Sequence, residues 1–307
     1  MDGAVGLDRS VLGRVVRPAS RGNRVKALFV VNRRSGIRRR DDVTSIIRAQ
    51  WREPEVVECG DPRQLDAVVS DSFDAVFAVG GDGTVHEVAK RLIGKSPALG
   101  IIPTGSGNGL ARHLGVPLDV RRALAACRAG RIETIDTARV EGEPFVGTMG
   151  VGFDAWIAEA FATRAARGFR TYVRVALGGL WSYAPREYEL TIDGVTTRRT
   201  ALLIAVANAS QYGNNARIAP MASLQDGVLD VVIVERRSIR AAARLFAGNL
   251  YGARGVTMLR ARRVEIRRPD AAVAHLDGEP IALPQSLTVE IVPRSLRVLV
   301  PPASRRI

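Results

Sequence analysis

Three short apolar runs constrain the fold of this chain more than any other feature. They occupy residues 25–31, 74–79 and 98–103, and polar residues hardly interrupt them. Strands that are buried on both faces of a parallel sheet have this pattern. The segments between the runs have helical periodicity, with apolar residues at Val85, Val88, Ala89 and Leu92. Alternating strands and helices predict an α/β domain with a doubly wound parallel sheet.

The second half of the chain has a different character. Beyond about residue 132, short β-like segments predominate, with turn signals at Asp193-Gly194, Asp226-Gly227 and Asp277-Gly278. Helical segments near 155–182 and 239–250 interrupt them. We therefore expect a mainly antiparallel β-sandwich as a second domain. The expected division is a flexible arm at 1–23, an α/β domain at 24–137 to which 294–307 returns, and a β-rich domain at 138–293.

The chain is strongly basic, since 45 Lys+Arg against 31 Asp+Glu give a net charge of +14. Such a charge attracts phosphate-bearing partners, whether nucleic acid, nucleotide or anionic lipid. Only three of the basic residues are lysines, so an arginine-rich genome composition explains the charge equally well. No helix-turn-helix, RRM or zinc module accompanies it, and nucleic-acid binding rests on charge alone.

Other residue types exclude several classes of protein. Cys59 and Cys127 are too few for a disulfide framework and predict two reduced, buried thiols. The three histidines lack metal-ligand spacing. The first residues contain acids and no apolar core, so they do not predict a signal peptide. The longest apolar runs are far shorter than the roughly 20 residues of a membrane span. We expect a cytoplasmic protein.

The segment Gly80-Gly81-Asp82-Gly83-Thr84 carries the most chemical information. It follows a predicted buried strand and precedes a helix, which is where open α/β sheets bind ligands. Glycines leave backbone N–H groups accessible to phosphate at a helix N-terminus. Asp82 would repel bare phosphates, so it fits a role toward Mg²⁺ or the attacking hydroxyl. The alternative is a turn that needs glycine for its shape alone.

A second glycine-rich loop, 103–109, follows the next predicted strand and also precedes a helix. Its Ser106 and Asn108 offer neutral hydrogen-bonding groups for phosphate or ribose. Neighbouring parallel strands end at the same edge of a sheet, so the two loops predict two sides of one polyphosphate pocket.

Three motifs together, GGDGTVHEV, PTGSGNGLARHLGVP and AHLDGEP, closely resemble the diacylglycerol kinase catalytic-domain family, which includes bacterial lipid kinases, sphingosine kinases and ceramide kinases. The resemblance covers Arg24 to Val300. It implies a nucleotide-binding α/β domain like that of NAD kinases and phosphofructokinases, plus the β-sandwich. Those two enzyme classes share the GGDG loop, whereas the DGE motif favours the lipid kinases.

The resemblance also implies roles for individual residues. Glu279 matches the family's proton acceptor, and Asp82 is a competing candidate. Asp226 matches a Mg²⁺ ligand, with backbone oxygens from Ser223 and Val228. The expected nucleotide contacts are Asn32, Ser35, Gly36, Gly80, Gly81, Asp82, Gly83, Thr84, Glu87, Ser106 and Asn108.

The chain departs from the family at several positions. Arg33 replaces a usual proline, and Asn108-Gly109 stands where many bacterial members have Asn-Asp. The second variant is closer to the sphingosine-kinase-like branch. Ordinary hairpin turns are the alternative for both the DGE motif and Asp226-Gly227.

Asp154 resembles the acid that recognises the lipid head in sphingosine kinases. The segment 156–181 after it mixes aromatic residues with arginines, as in the family's lipid-binding region, and a core helix with a solvated arginine face is the alternative. We therefore expect an ATP-dependent, Mg²⁺-requiring lipid kinase that associates peripherally with the anionic inner face of the membrane. Diacylglycerol is the first candidate substrate, and a sphingoid base or another lipid alcohol is the second. A soluble-substrate kinase of the NAD-kinase type, a non-catalytic lipid or nucleotide sensor, and a homodimer all stay open.

Overall fold

The structure is a computed structural model that describes residues 25–32, 40–162, 169–248 and 250–302. The predicted arm at 1–23 and the predicted nucleotide contacts Ser35 and Gly36 lie outside the described residues.

The first half is the predicted parallel sheet with helices. Its strands are β1 (Ala27–Asn32), β2 (Glu55–Cys59), β3 (Ala75–Gly80) and β4 (Ala98–Pro103), which lie in the order β2-β1-β3-β4 and pair in parallel. Its helices are α1 (Arg40–Gln50), α2 (Leu65–Val68), α3 (Asp82–Leu92), α4 (Gly109–His113) and α5 (Val120–Ala129). The apolar runs form β1, β3 and β4, and all residues of β3 and β4 are buried.

Aromatic packing fixes this sheet against its helices. The rings of Phe29 and Phe77 on adjacent strands stack with centroids 4.4 Å apart, and Trp51 meets both rings edge-on. Gly100 on β4 makes room for Phe77, because a Cβ there would lie 2.3 Å from the ring. The segment between β2 and β3 forms a 3-10 turn at Pro62–Gln64 followed by the four-residue α2. Pro62 begins that turn, and Asp61 caps it by accepting a hydrogen bond from the Arg63 N–H.

The second half is a sandwich of antiparallel strands. Its elements are β5 (Arg131–Val140), β6 (Glu143–Phe145), β7 (Thr148–Gly152), α6 (Phe153–Ala162), α7 (Phe169–Gly179), β8 (Arg186–Ile192), β9 (Val195–Ala201), β10 (Leu203–Ala207), β11 (Leu229–Val234), α8 (Ile239–Phe246), β12 (Val256–Ala261), β13 (Arg263–Arg267), β14 (Ala272–Leu276), β15 (Glu279–Leu283) and β16 (Ser286–Val300).

One sheet of the sandwich has six strands in the order β12-β11-β10-β7-β14-β15. One face of this sheet packs against antiparallel strands of the other sheet, and Met149, Val231 and Val264 are fully buried between the two sheets.

One long strand joins the two halves. The first part of β16 pairs with β13, and its last part pairs in parallel with β4 at Val298 and Leu99. β5 pairs with β16 on both sides of an irregularity between Val292 and Leu296. A single ten-stranded sheet therefore runs through both halves, and the boundary expected at residue 137 falls inside β5. No helix in the described part of the chain is long and apolar enough to span a membrane.

Candidate active site

The two glycine-rich loops meet at the carboxyl ends of β3 and β4. The Thr104 N–H donates a hydrogen bond of 2.9 Å to the Gly80 carbonyl. A Cβ added to Gly105 would lie 2.5 Å from the Gly81 Cα, so the backbones approach as closely as glycine allows. This juxtaposition is the one that the sequence predicted.

The Asp82 carboxylate binds one loop to the other. Its two oxygens accept hydrogen bonds from the backbone N–H groups of Asn108, at 2.8 Å, and Gly109, at 2.6 Å. Burial raises the pKa of Asp82 to about 6, although both hydrogen bonds lower it. In this structure the side chain holds the pocket's shape, whereas its predicted role toward Mg²⁺ or the hydroxyl stays a prediction.

Three other predicted nucleotide contacts have protein partners. Asn32 Nδ2 donates a hydrogen bond of 2.8 Å to Thr84 Oγ1, which links the end of β1 to the first turn of α3. Glu87 lies one turn further along α3 and pairs with Arg91 at 2.6 Å. Asn32 and Thr84 thus lie at the same strand ends as the loops, and the contacts of all three residues with nucleotide stay predictions.

Ser106 and Asn108 line a cleft of about 340 Å³ beside the second loop. Asn108 has a φ of +56° at the start of α4, a conformation that asparagine tolerates better than most residues. Thr104 Oγ1, which also lines the cleft, is buried without a hydrogen-bond partner among the described residues. The lining also includes the exposed Ser106 and the Arg112 side chain, which suit a polar, anionic ligand such as a nucleotide.

The DGE motif forms a tight hairpin between β14 and β15. Asp277 and Gly278 have φ values of +51° and +90°, as in a type I′ turn. The Asp277 carboxylate accepts three backbone N–H bonds, from Val146 at 3.0 Å, Gly147 at 2.7 Å and Thr148 at 3.0 Å. The hairpin is therefore fixed to the strand that precedes α6.

His86 on α3 connects this hairpin to the first glycine-rich loop. Its Nδ1 lies 2.8 Å from Asp277 Oδ2, and both side chains are nearly buried. Burial lowers the pKa of His86, but the Asp277 carboxylate outweighs burial and the net pKa is raised. Conversely, burial raises the pKa of Asp277, and the bonds from His86 and the backbone reverse this and lower it. The two halves thus meet through a buried ion pair.

Glu279 is the exposed carboxylate of this region. A Cβ built on Gly83 would lie 2.5 Å from Glu279 Oε1, so the carboxylate lies against the glycine of the first turn of α3. The chain brings residues 83 and 279 together from opposite halves. A phosphate held at that helix N-terminus would lie next to a carboxylate that can accept a proton.

Asp154 lies behind the hairpin and is 4% exposed. The Tyr212 hydroxyl donates a hydrogen bond of 2.6 Å to Asp154 Oδ2, and His275 Nε2 lies 2.9 Å from the same atom. The other ring nitrogen of His275 accepts a bond of 3.3 Å from the Gly278 N–H. Asp154 is thus connected to the DGE turn, and its contact with a lipid head stays a prediction.

The predicted metal position lies before β11. Asp226 forms an ion pair with Arg260 and accepts a bond of 3.3 Å from the Val228 N–H. Burial raises the pKa of nearby Asp230 to about 6, Arg260 lowers it and Asp226 raises it again. A carboxylate is a donor of the kind that Mg²⁺ takes, so Asp226 suits the ion, although the Arg260 guanidinium pairs with it in this structure. The backbone oxygens of Ser223 and Val228 stay predicted ligands. No cluster of three or more His, Cys, Asp or Glu side chains occurs in the described ranges.

Comparison with known proteins identifies the family. Residues 26–140 match the diacylglycerol kinase catalytic domain, and residues 147–300 match the YegS C-terminal NAD kinase beta sandwich-like domain. A diacylglycerol kinase from Mycobacterium tuberculosis is 33% identical over 275 residues, which cover 84% of this chain and 88% of the relative. The chain belongs to the diacylglycerol kinase family. It is a kinase.

Further relatives agree with this assignment. A protein from Pectobacterium atrosepticum named "Probable lipid kinase YegS-like" is 30% identical, over 86% of this chain and 89% of its own. A crystal structure of a diacylglycerol kinase from Bacillus anthracis superposes with a TM-score of 0.72 at 20% identity, over 91% of this chain and 98% of that chain. An NAD kinase from Archaeoglobus fulgidus gives a TM-score of 0.52 at 14% identity, over 90% and 94%. The predicted fold class and family are confirmed.

Sequence reasoning missed how the motif residues are held in place. His86, Tyr212 and His275 were not predicted as site residues, and Asp277 was noted only as part of a turn. Their partners are far away in the chain; His86 and Asp277 are 191 residues apart. The sequence did contain one signal, because His86 lies among the apolar residues of α3. In the structure its side chain is 8% exposed. A buried polar residue there requires a partner from another element.

Proposed function

We propose that this member of the diacylglycerol kinase family transfers the γ-phosphoryl group of ATP to the primary hydroxyl of a lipid, with diacylglycerol as the first candidate and phosphatidic acid as its product. The observation that carries the proposal is the position of Glu279 against Gly83, at the N-terminus of α3. A carboxylate beside a glycine-containing helix N-terminus, where phosphate can bind, supports the proposal.

In the proposed reaction the nucleotide phosphates contact the two glycine-rich loops. The lipid hydroxyl oxygen forms a bond to the γ-phosphorus as the bond to the β-γ bridging oxygen breaks, and ADP leaves. Glu279 accepts the hydroxyl proton. The proposed nucleotide contacts are the predicted ones, from Asn32 on β1 to Ser106 and Asn108 beside the cleft.

The substrates would occupy different parts of the chain. We propose that 24–137, with the end of β16, binds nucleotide and that 138–293 binds lipid, in line with the family matches at 26–140 and 147–300. ATP would enter with Mg²⁺, which neutralises phosphate charge when bound. Asp226, with backbone oxygens of Ser223 and Val228, is the proposed protein site for the ion. Replacing Arg260 with methionine should then lower the Mg²⁺ concentration for half-maximal activity, because a competing cation is removed, and Asp226→Asn should raise it.

The proposal is tested with purified protein, labelled ATP and a panel of diacylglycerol, sphingosine and NAD. We expect diacylglycerol to be phosphorylated, and Glu279→Gln to reduce kcat by roughly 10²- to 10⁴-fold with unchanged affinity for ATP. Glu187→Gln, an exposed glutamate on β8, is the matched control and should keep full activity. Phosphorylation of NAD but not of any lipid, or full activity of Glu279→Gln, would refute the proposal.

A further inference from the structure

Two segments in the second half of the chain are basic and contain no acidic residue. Residues 160–186 and residues 236–254 each contain five arginines and no lysine, aspartate or glutamate. Residues 9–40 are also basic without an acid, but most of them lie outside the described residues. In the described second half, the two segments are therefore where an anionic partner would meet the least repulsion.

The same segments expose large apolar side chains. Trp181 is 65% exposed, Ile239 62%, Tyr251 63% and Leu177 55%. They are four of the nine large hydrophobic residues that are exposed in the described part of the chain. Single exposed apolar residues are ordinary, but a group that coincides with two arginine-rich segments without acids is not.

The fold brings the two segments together. The Arg237 guanidinium donates hydrogen bonds of 3.0 and 2.8 Å to the Tyr183 carbonyl, which joins the start of α8 to the turn after α7. Val175 of α7 and Ala241 of α8 belong to one buried cluster. Trp181 and Ile239 each lie two residues from that junction, so their Cα atoms are within about 8 Å of it along the chain. We call residues 174–183 and 236–254 the α7–α8 face.

We propose that the α7–α8 face docks on an anionic lipid bilayer, an inference that rests on the proposed lipid-kinase function. Arginines attract anionic headgroups while neighbouring apolar side chains enter the interface. A second copy of the chain fits poorly, because a twofold contact would set the same positive patch against itself. The face also adjoins the site, since Tyr183 packs against Trp156 and Phe153 of α6, next to Asp154. A docked lipid would therefore reach the cleft along α6.

The first test is vesicle flotation with phosphatidylcholine alone and with phosphatidylcholine mixed equally with phosphatidylglycerol. The variant Arg236→Glu/Arg240→Glu reverses two exposed charges of the face. Arg48→Glu/Arg52→Glu, on and just after α1, has the same spacing, exposure and change of net charge. Each removed arginine should lower binding to anionic vesicles about fivefold, so the face variant should bind at least about 25-fold more weakly while the control changes little. Added salt should weaken wild-type binding.

A second variant tests the apolar part, Ile239→Ser/Tyr251→Ser, with exposed Val195→Ser as its control. Vesicle binding should fall only in the former, and phosphorylation of a short-chain diacylglycerol below its micellar concentration should be unchanged in both. Equal loss of binding in the face and control variants, or a shift from dimer to monomer in sedimentation of the Ile239 variant, would overturn the proposal. Failure of the kinase function is a separate outcome, because wild-type protein would then phosphorylate neither dispersed nor vesicular lipid.

Discussion

Replacing Asp277 with asparagine should show how strongly the DGE hairpin is fixed. Asparagine keeps the side-chain shape and tolerates the positive φ of an Asn-Gly turn. One oxygen can still accept from Gly147 and Thr148, but the new amide N–H faces the Val146 N–H, which loses its acceptor. An orphaned buried N–H costs about 1–3 kcal/mol, and the remaining bonds lose their charge assistance at about 1 kcal/mol each. Asparagine also removes the cost of burying a charge, which offsets part of this loss. We therefore expect Asp277→Asn to lower the free energy of unfolding by about 2–4 kcal/mol.

The destabilisation caused by Asp277→Asn should depend on pH, because His86 and Asp277 both titrate. The pKa of His86 is raised in the folded state, so protonated His86 stabilises the fold at low pH, and this stabilisation is lost as the pH rises through the raised pKa. The pKa of Asp277 is lowered, so its ionised carboxylate stabilises the fold at pH values above the ordinary pKa of a carboxyl group. This stabilisation is lost as the pH falls through the lowered pKa. The cost of Asp277→Asn should therefore be largest between about pH 4 and 6.5 and smaller in alkali.

Urea denaturation of wild type and variant across pH 5 to 9 measures the effect. The matched control is Asp193→Asn, which lies in an equivalent turn with φ values of +45° and +88° at Asp193-Gly194 and accepts bonds from the backbone N–H groups of Arg262 and Arg263 at the surface. Asp193→Asn should lower the free energy of unfolding by less than about 1 kcal/mol, because water replaces the lost acceptor at the surface. Equal costs at the two turns, or a cost at Asp277 that does not vary with pH, would show that the buried pair with His86 contributes nothing.

Three further predictions follow from single sites. Gly105→Ala should weaken nucleotide binding by on the order of tenfold or more in calorimetry, because its Cβ would lie 2.5 Å from the Gly81 Cα, whereas Gly178→Ala, with open space around its Cβ, should leave binding unchanged. Burial lowers the pKa of His113 to about 4, so stability should fall by about 3 kcal/mol as pH drops from 6.5 to 4, and His113→Gln should flatten that part of the profile. Phe77→Ala should lower the free energy of unfolding by about 3–5 kcal/mol in urea denaturation, because it removes the ring stacked on Phe29.

The parallel half of the fold could be predicted because its information is local. Each buried strand has its own apolar run, and Gly80 to Thr84 marks where β3 ends and α3 begins. The short helix α2 has a weaker local signal, because only four residues follow the turn that begins at Pro62. The irregularity of β16 between Val292 and Leu296 could not be predicted, since its partners β5, β13 and β4 are set by tertiary packing.

The roles of the motif acids could be narrowed only with the structure. Sequence left Asp82 and Glu279 as competing proton acceptors because the family resemblance offers a role of this kind for each. In the structure both oxygens of Asp82 accept backbone N–H bonds, and those of Asp277 do the same. A base must face the substrate hydroxyl, and Glu279, which lies against Gly83, is the exposed one of these three carboxylates. This supports the proposal that Glu279 is the proton acceptor and that Asp82 and Asp277 hold the loops and the hairpin around it.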